Sequence, residues 1–170
     1  VKYFLDTEFY EDGKTIDLIS IGIVAEDGRE FYRCNQEARL DLVSPWVRTN
    51  VLPSLPKYDD AAWATRRQIR DDLMVFFNEE LWADIEKRDK SKFQLWAYYA
   101  DYDWVVFCQL FGTMMQLPET FPKFCMDLKQ LSVNLGNPKH PSDPEGEHNA
   151  LVDARWNRDL YTFLMNYRNT

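Results

Sequence analysis

Residues 2–34, KYFLDTEFYEDGKTIDLISIGIVAEDGREFYRC, contain three β-rich runs separated by two short turn segments. KYFLDTEF and TIDLISIGIVAE are dominated by aromatic and β-branched residues, EDGK between them supplies turn chemistry, and DGRE leads into FYRC. Strands joined by tight glycine-containing turns form an antiparallel meander. Residues 35–58 read as irregular, punctuated by Pro45, Pro53 and Pro56. From Asp60 onward Ile69, Leu73, Phe76 and Phe77 recur at helical spacing, which predicts a helix to about residue 80, and DIEKRDKSK beyond it reads as a solvated turn. FQLWAYY is a near-continuous apolar run suited to a buried central strand. DYDWVVFCQLF then predicts a helix capped by Asp101 or Asp103 and carrying Val105, Val106, Cys108 and Leu110. A short strand at 124–126 leads to Asp127, a good N-cap for a helix through Leu135. NPKHPSDPEGE is a loop, and a final helix over 149–167 carries a stripe of Leu151, Leu160, Phe163 and Leu164. A meander followed by alternating helices and strands gives an α/β sandwich with a mixed sheet.

A chain of 170 residues with 45% hydrophobic content closes one core and is too short for two ordinary domains, so residues 1–170 are expected to form a single domain. The first residues already read as a strand, no basic-then-apolar leader precedes them, and the apolar runs are strand-sized. No membrane span is expected, and the location is expected to be cytoplasmic. Cys34, Cys108 and Cys125 are an odd, widely spaced set that supports neither a disulfide framework nor a zinc site. The formal charge of −8 argues against a broad basic surface for holding nucleic acid. It is compatible with an enzyme that grips a few terminal nucleotides, because metal ions bring positive charge to a carboxylate cluster.

Asp6 and Glu8 lie two apart in the first strand, so their side chains leave the same face near its carboxyl end, the edge where open α/β sheets bind ligands. By itself a D-x-E pair is common at polar strand ends. Asp103 follows the apolar strand and brings a third carboxylate to that edge; Asp101 is the rival, more suited to solvent or a cap. His148 and Asp153 would stand about 140° apart on a continuous helix. His148 is therefore expected in the EGEH loop, with Asn149 as N-cap and Asp153 on the first turns. His140, between Lys139 and Pro141, lacks a carboxylate partner in sequence and reads as a surface residue. Hard divalent ions take oxygen ligands, and two of them about 4 Å apart serve an in-line phosphoryl displacement. An imidazole with a reference pKa near 6.5 suits removal of the proton from the attacking water.

The ordered set LDTEF, YYADYDW and HNALVDA resembles the three motifs of the DEDDh 3′-5′ exonucleases of the ribonuclease H-like fold, and H-x-x-x-x-D is similar to their histidine branch. Within it, WVRTNVLPSLP, QIRDDL, LWAYYADYDWVVFCQLFG and ALVDARW are similar to the bacterial RNase AS group. The resemblance implies a five- or six-stranded sheet in the order 3-2-1-4-5, with the first three strands antiparallel and helices flanking it. It also implies Mg²⁺ as two ions, with Mn²⁺ able to substitute, a homodimer, and trimming of single-stranded or overhanging RNA at 3′ ends carrying adenylate. Asp6, Glu8, Asp103 and Asp153 would hold metal and His148 would act beside them. Candidate substrate contacts are Phe9 by base stacking, Ser20 (with Gly22) as a small position beside the pair, and Trp46 and Arg48 against base and phosphate. Two other readings stay open: a 3′-5′ DNA exonuclease using the same metals, and a nonenzymatic partner-binding module on the same fold. Recognition of a 2′-hydroxyl separates the first, and metal-dependent mononucleotide release the second.

Overall fold

A computed structural model describes residues 1–77, 93–140 and 148–168. Strands β1 (Lys2–Glu11), β2 (Ile16–Ala25) and β3 (Glu30–Asn35) form the expected antiparallel meander. Its turns use Gly13 and Gly28 at φ of 82° and 93°, conformations that residues with a Cβ seldom take. β4 (Trp63–Ala64) adds in parallel to β3, β5 (Gln94–Ala97) in parallel to β1, and β6 (Met126–Asp127) in parallel to β5. The six-stranded order is β4-β3-β2-β1-β5-β6. This is the expected 3-2-1-4-5 pattern with one further edge strand outside β3.

Five α-helices occur among the described residues: α1 (Pro45–Asn50), α2 (Arg66–Phe76), α3 (Ala100–Phe111), α4 (Leu128–Asn134) and α5 (Ala150–Arg168). Alternation along the strands assigns them to two faces. Tyr3, Leu5, Ile21, Ile23 and Leu95 pack in one apolar cluster with Ile69 and Leu73 of α2 and Val106 and Phe107 of α3. Phe4 and Trp96 pack with Leu128 of α4 and Leu160 and Leu164 of α5. No described helix is long and apolar enough to cross a membrane.

Several boundaries differ from the sequence reading, each for a local reason. The stretch 35–58 contains α1, with Ser44 as N-cap accepting from the Val47 amide and Pro45 at the first helical position, a pairing suited to a helix start. A 3₁₀ turn, Leu52–Ser54, follows it. The next helix begins at Arg66, not near Asp60, because Thr65 and Gln68 form a capping box; it ends at Phe76, and residue 80 and DIEKRDKSK at 84–92 lie outside the described residues. The strand expected over 93–99 closes at Ala97. Neither Asp101 nor Asp103 caps α3: its N-cap is Tyr99 at φ 57°, and the Ala100 amide donates instead to Asp127 Oδ2 at 2.9 Å. Asp127 also caps α4 by accepting from Gln130 N, so one carboxylate secures two helix starts.

Helix α5 buries Ala150, Ala154, Asn157, Leu160 and Leu164, whereas Leu151 and Phe163 of the expected stripe are only partly covered. Small residues let the helix lie close on the sheet. A Cβ built on Gly22 would stand 2.2 Å from the Ala150 carbonyl oxygen, so Gly22 serves helix-on-sheet contact and leaves no room there for a nucleotide. Asn157 Nδ2 donates to the Leu5 carbonyl at 2.9 Å, fixing α5 along β1.

Candidate active site

The even-numbered residues of β1 face α5, so Asp6 and Glu8 emerge on the side where that helix begins. Asp153, in the first turn of α5, meets them: Asp6, Glu8 and Asp153 each bring one carboxylate oxygen to within 4.8 Å of the others. A trio of hard, anionic oxygens at this spacing fits a divalent cation of the Mg²⁺ type. A β-bulge sits beside the trio, because Glu8 pairs with Ser20 while Phe9 pairs with Leu18, leaving Ile19 extra on β2. Bulges bend a strand and re-aim its side chains next to functional sites.

Asp103 reaches the same strand from the opposite layer. It is 5% exposed, whereas Asp101 two residues earlier is exposed to solvent. One of its oxygens, Oδ1, accepts from the Thr7 amide at 2.8 Å and from the Thr7 hydroxyl at 2.6 Å. Its carboxylate thus stands outside the trio but close enough to act on it electrostatically.

The cluster is biased toward protonation. Burial pushes the Asp6 carboxyl well above the usual range, with Asp103, Asp153 and Glu8 adding repulsion in that order. Glu8 is pushed up to about 8, first by burial and then by Asp153 and Asp103. Asp103 is raised to about 7 by burial, against the lowering effect of the two Thr7 hydrogen bonds. Between the ordinary values of 3.8 and 4.5 and these raised values, the folded metal-free protein holds protons that the unfolded chain has released. The cluster's contribution to stability is therefore complete below about pH 4 and is lost as pH rises through about 7 to 8. The melting temperature in chelator is expected to fall from about pH 5 to pH 8.5, and Mg²⁺ is expected to reverse the fall at the alkaline end. A chelator series that is flat with pH, or insensitive to Mg²⁺, would contradict this electrostatic account.

His148 precedes α5, as expected, at φ 69° in the left-handed region. Its amide donates to Asp153 Oδ2 at 3.0 Å, and its carbonyl accepts the Ser54 hydroxyl. Asn149 Nδ2 donates to the Ser54 carbonyl at 3.2 Å while Asn149 Oδ1 accepts from the Leu151 and Val152 amides, the expected cap. The imidazole stands edge-on to Trp46, ring centroids 4.8 Å apart. His140 is not a bare surface residue, since its ring packs on Trp156 and Phe163. Residues 141–147 of the expected loop lie outside the described residues.

The candidate substrate contacts occupy different settings. Phe9 is partly buried and stacks on Tyr102, centroids 5.5 Å and planes 10° apart, so one ring face is already covered. Tyr102, 55% exposed and adjacent to Asp103, extends this aromatic surface outward; the sequence reading passed over it because an aspartate-flanked tyrosine carries no periodic signal. Ser20 is fully buried, so it lines the sheet beside Glu8 and offers no surface to a substrate. Trp46 and Arg48 are both exposed on α1, but residues two apart on a helix do not share a face. Only Trp46 is directed at His148.

Comparison with known proteins adds an independent line. Residues 1–165 match the family model described as the 3′-5′ exoribonuclease Rv2179c-like domain. The chain is 48% identical over 155 residues to the 3′-5′ exoribonuclease Rv2179c of Mycobacterium tuberculosis strain ATCC 25618 / H37Rv, a match that covers 91% of this chain and 88% of that protein. The 3′-5′ exoribonuclease MT2234.1 of strain CDC 1551 / Oshkosh matches with the same identity and coverage.

Proposed function

This chain belongs to the Rv2179c-like 3′-5′ exoribonuclease domain family, and from that premise we propose that it removes nucleotides one at a time from the 3′ ends of single-stranded or overhanging RNA. The observation that carries the reading is the convergence of Asp6, Glu8 and Asp153 within 4.8 Å, with Asp103 held beside them by Thr7. The same reading makes residues 1–170 a single cytoplasmic domain of ribonuclease H-like, DEDDh type, working as a homodimer and preferring adenylate at the 3′ end, in the manner of the RNase AS group.

Asp6, Glu8, Asp103 and Asp153 are the residues that would hold two Mg²⁺ ions, or Mn²⁺ in their place. Bound there, the ions would activate a water and stabilise the leaving oxygen of the phosphodiester. His148 accepts the proton of the attacking water on its imidazole; it is carried on a short loop-to-helix junction with its backbone tied at both ends. Phe9 and Tyr102 offer stacking surface to the terminal base, Trp46 borders the imidazole, and Arg48 is available to a phosphate.

His148→Ala is expected to lower single-turnover cleavage by roughly 10²- to 10⁴-fold while leaving Mn²⁺ and RNA binding in place. Near-wild-type turnover in this variant would remove His148 from the mechanism. Parallel digestion of RNA, DNA and RNAs with different 3′-terminal bases tests the substrate class, with the DNA strand expected to be the poorer substrate.

A further inference from the structure

Thr7 lies between Asp6 and Glu8 in β1, and strand alternation turns its side chain to the opposite face, into the layer filled by α2 and α3. A residue so placed would ordinarily be a core position. Thr7 is 5% exposed, yet its hydroxyl is committed to a charged group 96 residues away, Asp103 Oδ1, at 2.6 Å. Its amide donates to the same oxygen at 2.8 Å. Both donors act on Oδ1 and neither acts on Oδ2.

We propose that Thr7 is a positioning residue for Asp103, its hydroxyl and amide fixing one carboxylate oxygen so that the other is presented toward Asp6 and Glu8 for a divalent cation. The inference rests on the reading of Asp103 as a metal ligand and deepens it. Asp103 arrives from α3, on the far side of the sheet from α5, and the two Thr7 bonds tie its carboxylate to β1. Hydrogen bonds to ligating carboxylates orient them for metal, and loss of such a partner typically costs about 10- to 100-fold in metal affinity or activity. Thr7 also reads the position of β1 directly: because residue 7 sits between the two strand carboxylates, any shift of the strand that moves Asp6 and Glu8 moves the anchor of Asp103 with them. One strand therefore sets all three groups in register.

The test uses Thr7→Val, which keeps the shape and deletes the hydroxyl, Thr7→Ala as a smaller version of the same deletion, and Thr7→Ser, which restores the donor. Mn²⁺ binding to the full chain without RNA, measured by calorimetry, is the readout separate from activity; the Mg²⁺ concentration for half-maximal RNA cleavage is the second. Roughly 10- to 100-fold weaker Mn²⁺ binding and a matching rise in Mg²⁺ requirement are expected for Thr7→Val and Thr7→Ala, with Thr7→Ser close to wild type. Unchanged metal binding in Thr7→Val, an equal defect in Thr7→Ser, or failure of both Val and Ala variants to fold would overturn the proposal by making Thr7 a packing residue only. Asp103→Asn, run alongside, separates the two levels. If Asp103→Asn binds and cleaves like wild type, the reading of Asp103 is at fault; if it is inactive while Thr7→Val is normal, only the positioning role falls.

Discussion

Asp6→Asn is expected to reduce RNA cleavage below detection while the protein folds as well as or better than wild type. Asparagine keeps the shape of the side chain and removes its charge. In the metal-free protein that charge is costly, since burial and three neighbouring carboxylates hold the Asp6 carboxyl well above its ordinary range. Its loss removes the repulsion that Asp103, Asp153 and Glu8 exert on that charge, so the alkaline fall in melting temperature should become shallower. With cation present the sign reverses, because the same charge is what attracts the ion. Loss of activity together with raised metal-free stability and lost stabilisation by Mg²⁺ is a combination that a folding defect does not give. Wild-type cleavage by the purified variant would show that Asp6 is not a metal ligand.

The second large effect separates two aspartates that the sequence places only two residues apart. Asp103→Asn is expected to lower cleavage by roughly 10³-fold or more, on the scale of losing a transition-state charge stabiliser. Asp101→Asn should stay within about two-fold, since exposed surface substitutions seldom matter. Asp103 is buried and bonded to Thr7, whereas Asp101 is exposed in the first turn of α3. The amide side chain introduced by Asp103→Asn retains a carbonyl oxygen able to accept both Thr7 bonds, so the comparison tests charge with the anchor in place. Equal losses at the two positions, or a larger loss at 101, would transfer the role to Asp101.

How much of this was legible in sequence follows from the range of the interactions. The meander was readable because its information is local: aromatic and β-branched runs along β1 and β2, and Gly13 and Gly28 at turns that demand positive φ. Asp127 as a helix cap and His148 ahead of α5 were local in the same sense. The helix at Pro45–Asn50 had a local signal, Ser-Pro at its start, that the nearby Pro53 and Pro56 obscured. What stayed hidden was long-range. Nothing near Asp127 in sequence announces that its second oxygen closes the start of α3 in place of Asp101 or Asp103. Nothing near Ser20 says that its face is covered, because the covering helix lies about 130 residues downstream and approaches through Ala150 against Gly22. The bulge at Ile19 and the Thr7–Asp103 bond are of the same kind. The four carboxylates and the histidine were named from motif order, while the spacing that makes three of them a cation-sized set is a property of the sheet.

The central claim is metal-dependent removal of nucleotides from RNA 3′ ends at this carboxylate cluster. The most direct measurement is a time course on a 5′-labelled single-stranded RNA with wild-type protein and Asp6→Asn, each in Mg²⁺ and in chelator. A ladder that shortens one nucleotide at a time from the 3′ end, present only for wild type in Mg²⁺, is the expected result. Shortening that persists in chelator or in Asp6→Asn, internal cuts without a ladder, or intact RNA in every lane would contradict it.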